Sequence, residues 1–142
     1  MRESRYSYPA MEDFYIEKKI YYHDTDSGGV VYYANYLKHL EEARTEYLLS
    51  KGINLKELAN KDVWFVVAKV VVNYKSPARY QNTLKILTKI EKMKASAIKL
   101  FQEIIKNETT VVEARTTLLC VGKDFKPIPI PQEVRQSLLA RQ

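Results

Sequence analysis

Two carboxylates one residue apart, Asp24 and Asp26, followed at once by Gly28 and Gly29, are the densest concentration of chemistry-bearing side chains in the chain. The stretch His23-Asp24-Thr25-Asp26-Ser27-Gly28-Gly29 combines side chains that bond their own backbone with residues that tolerate positive φ, so it predicts a structured loop. Three readings compete. As turn chemistry alone, Asp and Gly need no function. As a calcium loop the spacing fails: with Asp24 as first ligand, Gly28 falls at the fifth position and Asn35 at the twelfth, where an oxygen ligand and a bidentate Glu are required. As a catalytic loop it has a physical attraction. A carboxylate beside a helix N-terminus lies near free backbone N–H groups that stabilise an oxyanion.

The elements that must position this loop follow from periodicity. Phe14 to Tyr22 places Phe14, Ile16 and Ile20 on one parity and predicts a strand leading into the loop. From Val30 to Ser50 the period changes: Tyr33, Tyr36, Leu37, Leu40, Ala43, Tyr47 and Leu48 recur at three- and four-residue spacing, with Lys38, Glu41, Glu42 and Thr45 opposite, which predicts a long amphipathic helix stopped by Gly52. Asn54 caps a short helix to Asn60. Four strands follow. Trp64 to Tyr74 is a near-continuous apolar run, broken by Lys69, and reads as the centre of a sheet. Thr83–Met93, Ser96–Lys106 and Thr110–Val121 alternate as a meander, and Gln132 to Gln142 reads as a short terminal helix. One strand, a long helix and an antiparallel run of strands make an α+β fold with the helix laid across one five-stranded sheet. A lone helix covers only part of a sheet face, so paired subunits are expected.

Composition bounds the rest. At 142 residues the chain is read as one domain, with residues 1–12 as a flexible N-terminal extension. The single cysteine, Cys120, sits in an apolar run, which leaves no disulfide framework or thiolate metal knot and points to a reducing, cytoplasmic setting. No apolar h-region follows Arg2 and Arg5, and no window approaches the roughly 18 apolar residues of a membrane span, so neither secretion nor membrane insertion is expected. A net charge of +6 favours a polyanionic partner, whether nucleic acid, acidic membrane or a phosphorylated carrier, and 11 tyrosines do not choose among them.

A resemblance becomes visible in Tyr22, Thr25-Asp26-Ser27-Gly28-Gly29-Val30-Val31, Tyr33-Ala34-Asn35-Tyr36-Leu37, Glu42-Ala43-Arg44 and the turn Tyr74-Lys75-Ser76-Pro77-Ala78-Arg79. With these residues the chain resembles the 4-hydroxybenzoyl-CoA thioesterase family, particularly its YbgC-type acyl-CoA thioesterases. The resemblance implies a hotdog fold, a long central helix wrapped by a five-stranded antiparallel sheet, and hydrolysis of acyl-CoA to free acid and CoA. It puts the family's catalytic carboxylate on Asp26, as nucleophile or general base, and a nearby tyrosine on Tyr22. At Tyr33 the chain departs from the YbgC-type pattern, which has a histidine there; what carries over is the Tyr33 backbone N–H as polariser of the thioester carbonyl. Substrate binding is implied at Gly29 and Val30, with Lys92, Lys94 and Ser96 near the nucleotide. No metal or cofactor is implied, because CoA is part of the substrate; acyl carrier protein thioesters are a second carrier. The assembly implied is a homo-oligomer, a dimer or a dimer of dimers (homotetramer).

Other residues compete for a role. Some hotdog thioesterases use a helical glutamate, which makes Glu41, Glu42 and Glu46 second choices, although ion pairing accounts for Glu42 and Glu46 equally well. His23 and His39 match no family position and read as structural or solvent-facing, and Cys120 as packing. Two other functions fit less of the sequence: an acyl-thioester binder without turnover, and a basic nucleic-acid-binding module, which lacks a helix-turn-helix, zinc or RNP1-like motif.

Overall fold

The computed structural model of the protein describes residues 13–140, so the expected extension over residues 1–12 lies outside the described residues. The chain runs β1 (Tyr15–Lys19), α1 (Asn35–Ser50), α2 (Leu55–Asn60), β2 (Trp64–Tyr74), β3 (Thr83–Met93), β4 (Ala97–Lys106), β5 (Thr109–Val121) and α3 (Gln132–Leu139). The five strands form one sheet in the order β1-β3-β4-β5-β2, every neighbouring pair antiparallel. Local chemistry accounts for the connections. Asn107, at φ 49°, turns β4 into β5 in the left-handed region that Asn tolerates, and the Asn54 side chain accepts the N–H groups of Lys56 and Glu57 to open α2.

The core lies between α1 and the sheet. Tyr36, Leu40 and Ala43 of α1 pack on Leu84, Ile86, Ile104, Val112 and Ala114. One helical stretch further on, Tyr47 and Leu48 meet Ile98, Leu100, Leu118 and Cys120, with Val134 and Leu138 of α3 closing that end. The spacing 36, 40, 43, 47 is the stripe that a 3.6-residue period needs to keep one face buried. Truncating Leu40 to Ala is expected to cost about 2–5 kcal/mol, the range for emptying a packed core site. Polar side chains are admitted where they are paired: Gln102, fully buried on β4, donates through Nε2 to the Leu40 carbonyl at 2.9 Å and to the buried Thr88 Oγ1 at 3.0 Å.

Three boundaries differ from the sequence reading. The first strand stops at Lys19, and Tyr22–Asp24 forms a single 3-10 turn, because the Asp24 side chain accepts the Tyr21 N–H at 2.9 Å and closes the chain locally. The long helix begins at Asn35, not Val30: Val30 and Val31 pair instead with Arg79 and Thr25 as bridges, the extended geometry that β-branched residues favour. The largest difference is β2, which is an edge strand and not the sheet centre. Val67, Val70 and Val71 are exposed there at 50%, 39% and 45%, so the apolar run that reads as burial on both faces is not buried within one chain.

Candidate active site

The acidic loop folds as a miniature hairpin with Asp24 at its base and Asp26 at its tip. At the base, the Asp24 carbonyl accepts the Tyr32 N–H at 2.9 Å; Thr25 bridges Val31 one step higher, and the Asp26 N–H donates to the Val30 carbonyl at 2.9 Å. The turn closes when the Gly29 N–H donates to the Asp26 carbonyl at 3.0 Å, with Gly29 at φ +82°, where a side chain would be strained. The Gly28 N–H also donates to Asp26 Oδ1 at 2.8 Å. Asp26 is thus both turn former and exposed carboxylate: Oδ1 is held by the turn, and the other oxygen is left open to an incoming group.

The hairpin is docked from two sides. The Val31 N–H donates to the Ala78 carbonyl at 2.8 Å, and the Ala78 N–H donates to Tyr36 Oη at 3.1 Å, which joins the Ser76–Arg79 turn to α1. The Asn35 side chain donates to the Asp24 carbonyl at 2.9 Å, fixing the start of α1 to the hairpin base. That helix start has no side-chain cap, its N-cap being Ala34. Among the described residues, the backbone bonds that surround it leave the N–H groups of Tyr33 and Ala34 without an acceptor. Free N–H groups at the positive end of a 16-residue helix form a place for developing negative charge. Aromatic rings wall this end: Tyr33 meets Tyr32 at 4.9 Å and Tyr74 at 6.0 Å between centroids, and Tyr74 Oη donates to the Tyr33 carbonyl at 3.3 Å.

A carboxylate tip beside an open helix start, on a helix laid over a β1-β3-β4-β5-β2 sheet, can be compared with known proteins. The model of the thioesterase-like superfamily matches residues 21–138. The chain is 38% identical over 118 residues to the acyl-CoA thioester hydrolase YbgC of Escherichia coli O6:H1, covering 82% of this chain and 88% of that protein. It is 33% identical over 132 residues to the acyl-CoA thioesterase YbgC of Helicobacter pylori, covering 86% and 97%. A probable thioesterase from Bartonella henselae superposes with a TM-score of 0.80 at 31% identity, covering 84% of this chain and 99% of that one.

The chain belongs to the thioesterase-like superfamily. Its architecture is the hotdog fold, as the resemblance implied.

Within this thioesterase the remaining candidates separate clearly. Gly29 and Val30 lie in the hairpin with Asp26, and Tyr33 follows at the helix start. Tyr22 is exposed and stacks on Tyr80 at 3.7 Å, and its carbonyl accepts the Thr25 N–H and hydroxyl, so its observed contacts are with the loop scaffold. Lys92, Lys94 and Ser96 are not brought to Asp26 within one chain. Lys92 lies near the end of β3 and Lys94 and Ser96 in the β3–β4 turn, whereas the hairpin follows the β1 end that pairs with Thr83. The length of β3, about 33 Å at 3.3 Å per residue, lies between.

The helical glutamates of the thioesterase are otherwise engaged or solvated. Glu41 accepts the Thr45 hydroxyl at 2.9 Å, Glu42 pairs with Lys18 at 3.0 Å, and Glu46 is exposed. His23 is solvent-facing, but His39 is buried, with Nε2 3.2 Å from Asp24 Oδ1. Burial holds its pKa below the ordinary histidine value, against the opposite pull of Asp24. Cys120 is buried in the second core region, where desolvation pushes its thiol up and packing is its role. Among the described residues no group of three or more His, Cys, Asp and Glu is placed to hold a metal ion, and no helix is long and apolar enough to cross a membrane. The sequence reading met Asn35, Tyr36 and Ala78 in the helical stripe and the family motifs and His39 as a structural or solvent-facing residue; what it missed is their contacts with the hairpin and the Ser76–Arg79 turn.

Proposed function

We propose that this chain is a single-domain thioester hydrolase that converts acyl-CoA to free acid and CoA, with Asp26 as the reacting carboxylate and the Tyr33 N–H as polariser of the thioester carbonyl. The observation that carries this reading is the shared frame: the hairpin that pins Asp26 Oδ1 is hydrogen-bonded through Asp24 to the helix start that offers the free N–H groups. With the carbonyl oxygen at that helix start, its carbon is open to attack from the Asp26 side. By the nucleophilic route, Asp26 oxygen bonds to the carbonyl carbon, the C–S bond breaks, CoA thiolate leaves and takes a proton, and water cleaves the resulting anhydride. By the general-base route, Asp26 removes a proton from a water that attacks the same carbon directly. Neither route calls for a metal or redox cofactor, and an acyl carrier protein thioester presents the same reacting group.

The exposed apolar edge of β2 supports a homo-oligomer. A second copy laid antiparallel along β2 would continue the sheet and cover Val67, Val70 and Val71. Antiparallel pairing reverses the second sheet, so the β3–β4 turn of the second copy, with its Lys92, Lys94 and Ser96, comes to the end where Asp26 stands. Basic residues far from Asp26 within one chain could then hold the phosphates of CoA across the interface. A cytoplasmic setting is part of this reading and rests on the single cysteine, Cys120, which is free and buried.

Free-thiol release from a panel of short, long and aromatic acyl-CoAs, with wild type and Asp26→Asn at matched folding, tests the catalytic reading. Turnover lost only in the variant supports it, and unchanged turnover in the variant overturns it. Single-turnover hydrolysis in ¹⁸O water separates the routes, because only the anhydride route leaves label in Asp26. Sedimentation velocity of Val70→Lys tests the assembly: a monomer with reduced CoA affinity is expected, and an unchanged oligomer rejects the β2 interface. The sedimentation coefficient of the wild type distinguishes a dimer from a dimer of dimers.

A further inference from the structure

Asp24 is a knot where three parts of the site meet. Its carbonyl takes N–H groups from Tyr32, at the closing end of the hairpin, and from the Asn35 side chain, at the start of α1. Its Oδ2 takes the Tyr21 N–H, from the segment that enters the loop. Its Oδ1 has one buried side-chain neighbour, His39, reaching over from the body of α1 with Nε2 at 3.2 Å. Both side chains are close to fully buried, at 5% and 4% exposed. A carboxylate so enclosed is costly unless its charge is answered, and His39 is the only cation-capable side chain buried beside it among the described residues.

The groups around His39 bias which nitrogen carries the proton. On its own helix, Glu42 Oε1 lies 3.8 Å from Nδ1. From β1, Lys18 Nζ sits 3.0 Å from that same oxygen and neutralises it. From the 3-10 turn come Asp24 and, on its solvent side, the exposed His23 at 3.6 Å. A neutral imidazole has one N–H, and the nearer, unneutralised carboxylate is that of Asp24, which favours the proton on Nε2. The approach is oblique and falls short of a well-aligned hydrogen bond, so the pair is held by close approach of the imidazole dipole to the carboxylate more than by a directed bond.

We propose that His39 is a positioning residue for hydrolysis: acting through Asp24, it locks the base of the hairpin to α1, so that Asp26 at the tip and the Tyr33 N–H keep a fixed separation during turnover. This rests on the assignment of Asp26 and Tyr33 made above. The reach of the effect follows from the ladder. Asp24···Tyr32, Thr25···Val31 and Asp26···Val30 are successive rungs, so a shift at the base passes to the tip without a flexible joint between.

The experiment compares wild type, His39→Phe, His39→Gln and Asp26→Asn by steady-state acyl-CoA hydrolysis. Phe fills the space but cannot donate, whereas Gln places an N–H at similar reach. In His39→Phe, kcat should fall about tenfold with KM within about twofold, since a displacement of the reacting groups well under 1 Å suffices for that loss. His39→Gln should recover most of kcat. Wild-type kcat in the Phe variant, equal damage in Phe and Gln, or a loss confined to KM overturns the proposal. A dead Asp26→Asn beside a fully active His39→Phe rejects the role of His39 alone, whereas a fully active Asp26→Asn rejects the Asp26 assignment and the brace with it. If His39→Phe does not fold, the histidine ¹⁵N spectrum decides. An Nε2–H tautomer of His39 that shifts in Asp24→Asn supports the brace, and an Nδ1–H tautomer overturns it.

Discussion

The base and the tip of the Asp24–Tyr32 hairpin each carry an aspartate, two positions apart, and the two have almost nothing else in common. Asp24 is 3% exposed and touches Tyr21, Tyr32, Asn35 and His39. Asp26 is exposed and its carboxylate accepts one N–H, that of Gly28. Carboxylates this close suggest a proton-sharing pair, but here one is built into the scaffold and the other stands in solvent, free for the chemistry proposed above. The β period explains the division. Two residues apart on a hairpin strand put side chains on the same face, but the hairpin leaves the core between them, so the same face is buried at the base and solvated at the tip.

That contrast can be broken from either end. The largest effect is expected at the tip: Asp26→Asn should lower kcat by about 10²–10⁴-fold, while the melting midpoint moves by no more than about 2 °C, as befits an exposed side chain. Thiol release and thermal melting on one preparation check both halves. At the base the balance reverses. Asp24→Ala removes a buried acceptor of a charged hydrogen bond and should cost about 1–3 kcal/mol of stability, read by urea unfolding, with activity falling as a consequence. Between the two lies Gly28→Ala, whose added Cβ would meet Asp26 Oδ1 at 3.2 Å. The hydrogen bond must give way by a few tenths of an ångström, so a loss of about threefold to fivefold in kcat with little change in melting is expected.

The smallest effect is electrostatic and belongs to the base alone. The folded state holds His39 at a pKa below its unfolded value, chiefly through burial. A histidine kept neutral by the fold binds its proton more readily when unfolded, so its contribution is fully present above the unfolded pKa of about 6.5 and is lost as pH falls from there through the lower folded pKa. Melting midpoints measured from about pH 7.5 down to about pH 5.5 should therefore decline less steeply in His39→Phe than in wild type. An equal slope would remove His39 from the acid sensitivity of the fold.

Much of this was legible in the residues. The turn chemistry of Asp, Gly and Gly located the loop, the 3.6-residue stripe located α1, and the resemblance singled out Asp26 between two plausible aspartates. What failed has a common cause. The edge position of β2 is invisible to a hydrophobic pattern, because a valine run reports burial without saying whether the same chain supplies it. Val30 and Val31 fit the helical stripe in spacing, yet pairing with Thr25 and Arg79 claimed them, a choice that depends on residues about 50 positions away. Asn35, Tyr36 and Ala78 matter through hydrogen bonds to segments that only the topology brings near. The separation of Lys92, Lys94 and Ser96 from Asp26 is likewise a property of strand direction.

The bond from Gln102 to the Leu40 carbonyl joins residues 62 positions apart, and it sets an order of events during synthesis. β1, the hairpin and α1 leave the ribosome first, but the strands that bury the helix stripe and the amide that binds its backbone arrive only with the second half of the chain. Until then α1 has no sheet to cover, and the helix start is held to the hairpin only by the local contacts of Asn35 and His39 with Asp24. The proposed site is thus made before the strands that fix it in place, and non-local pairing of this kind sets the pace of folding.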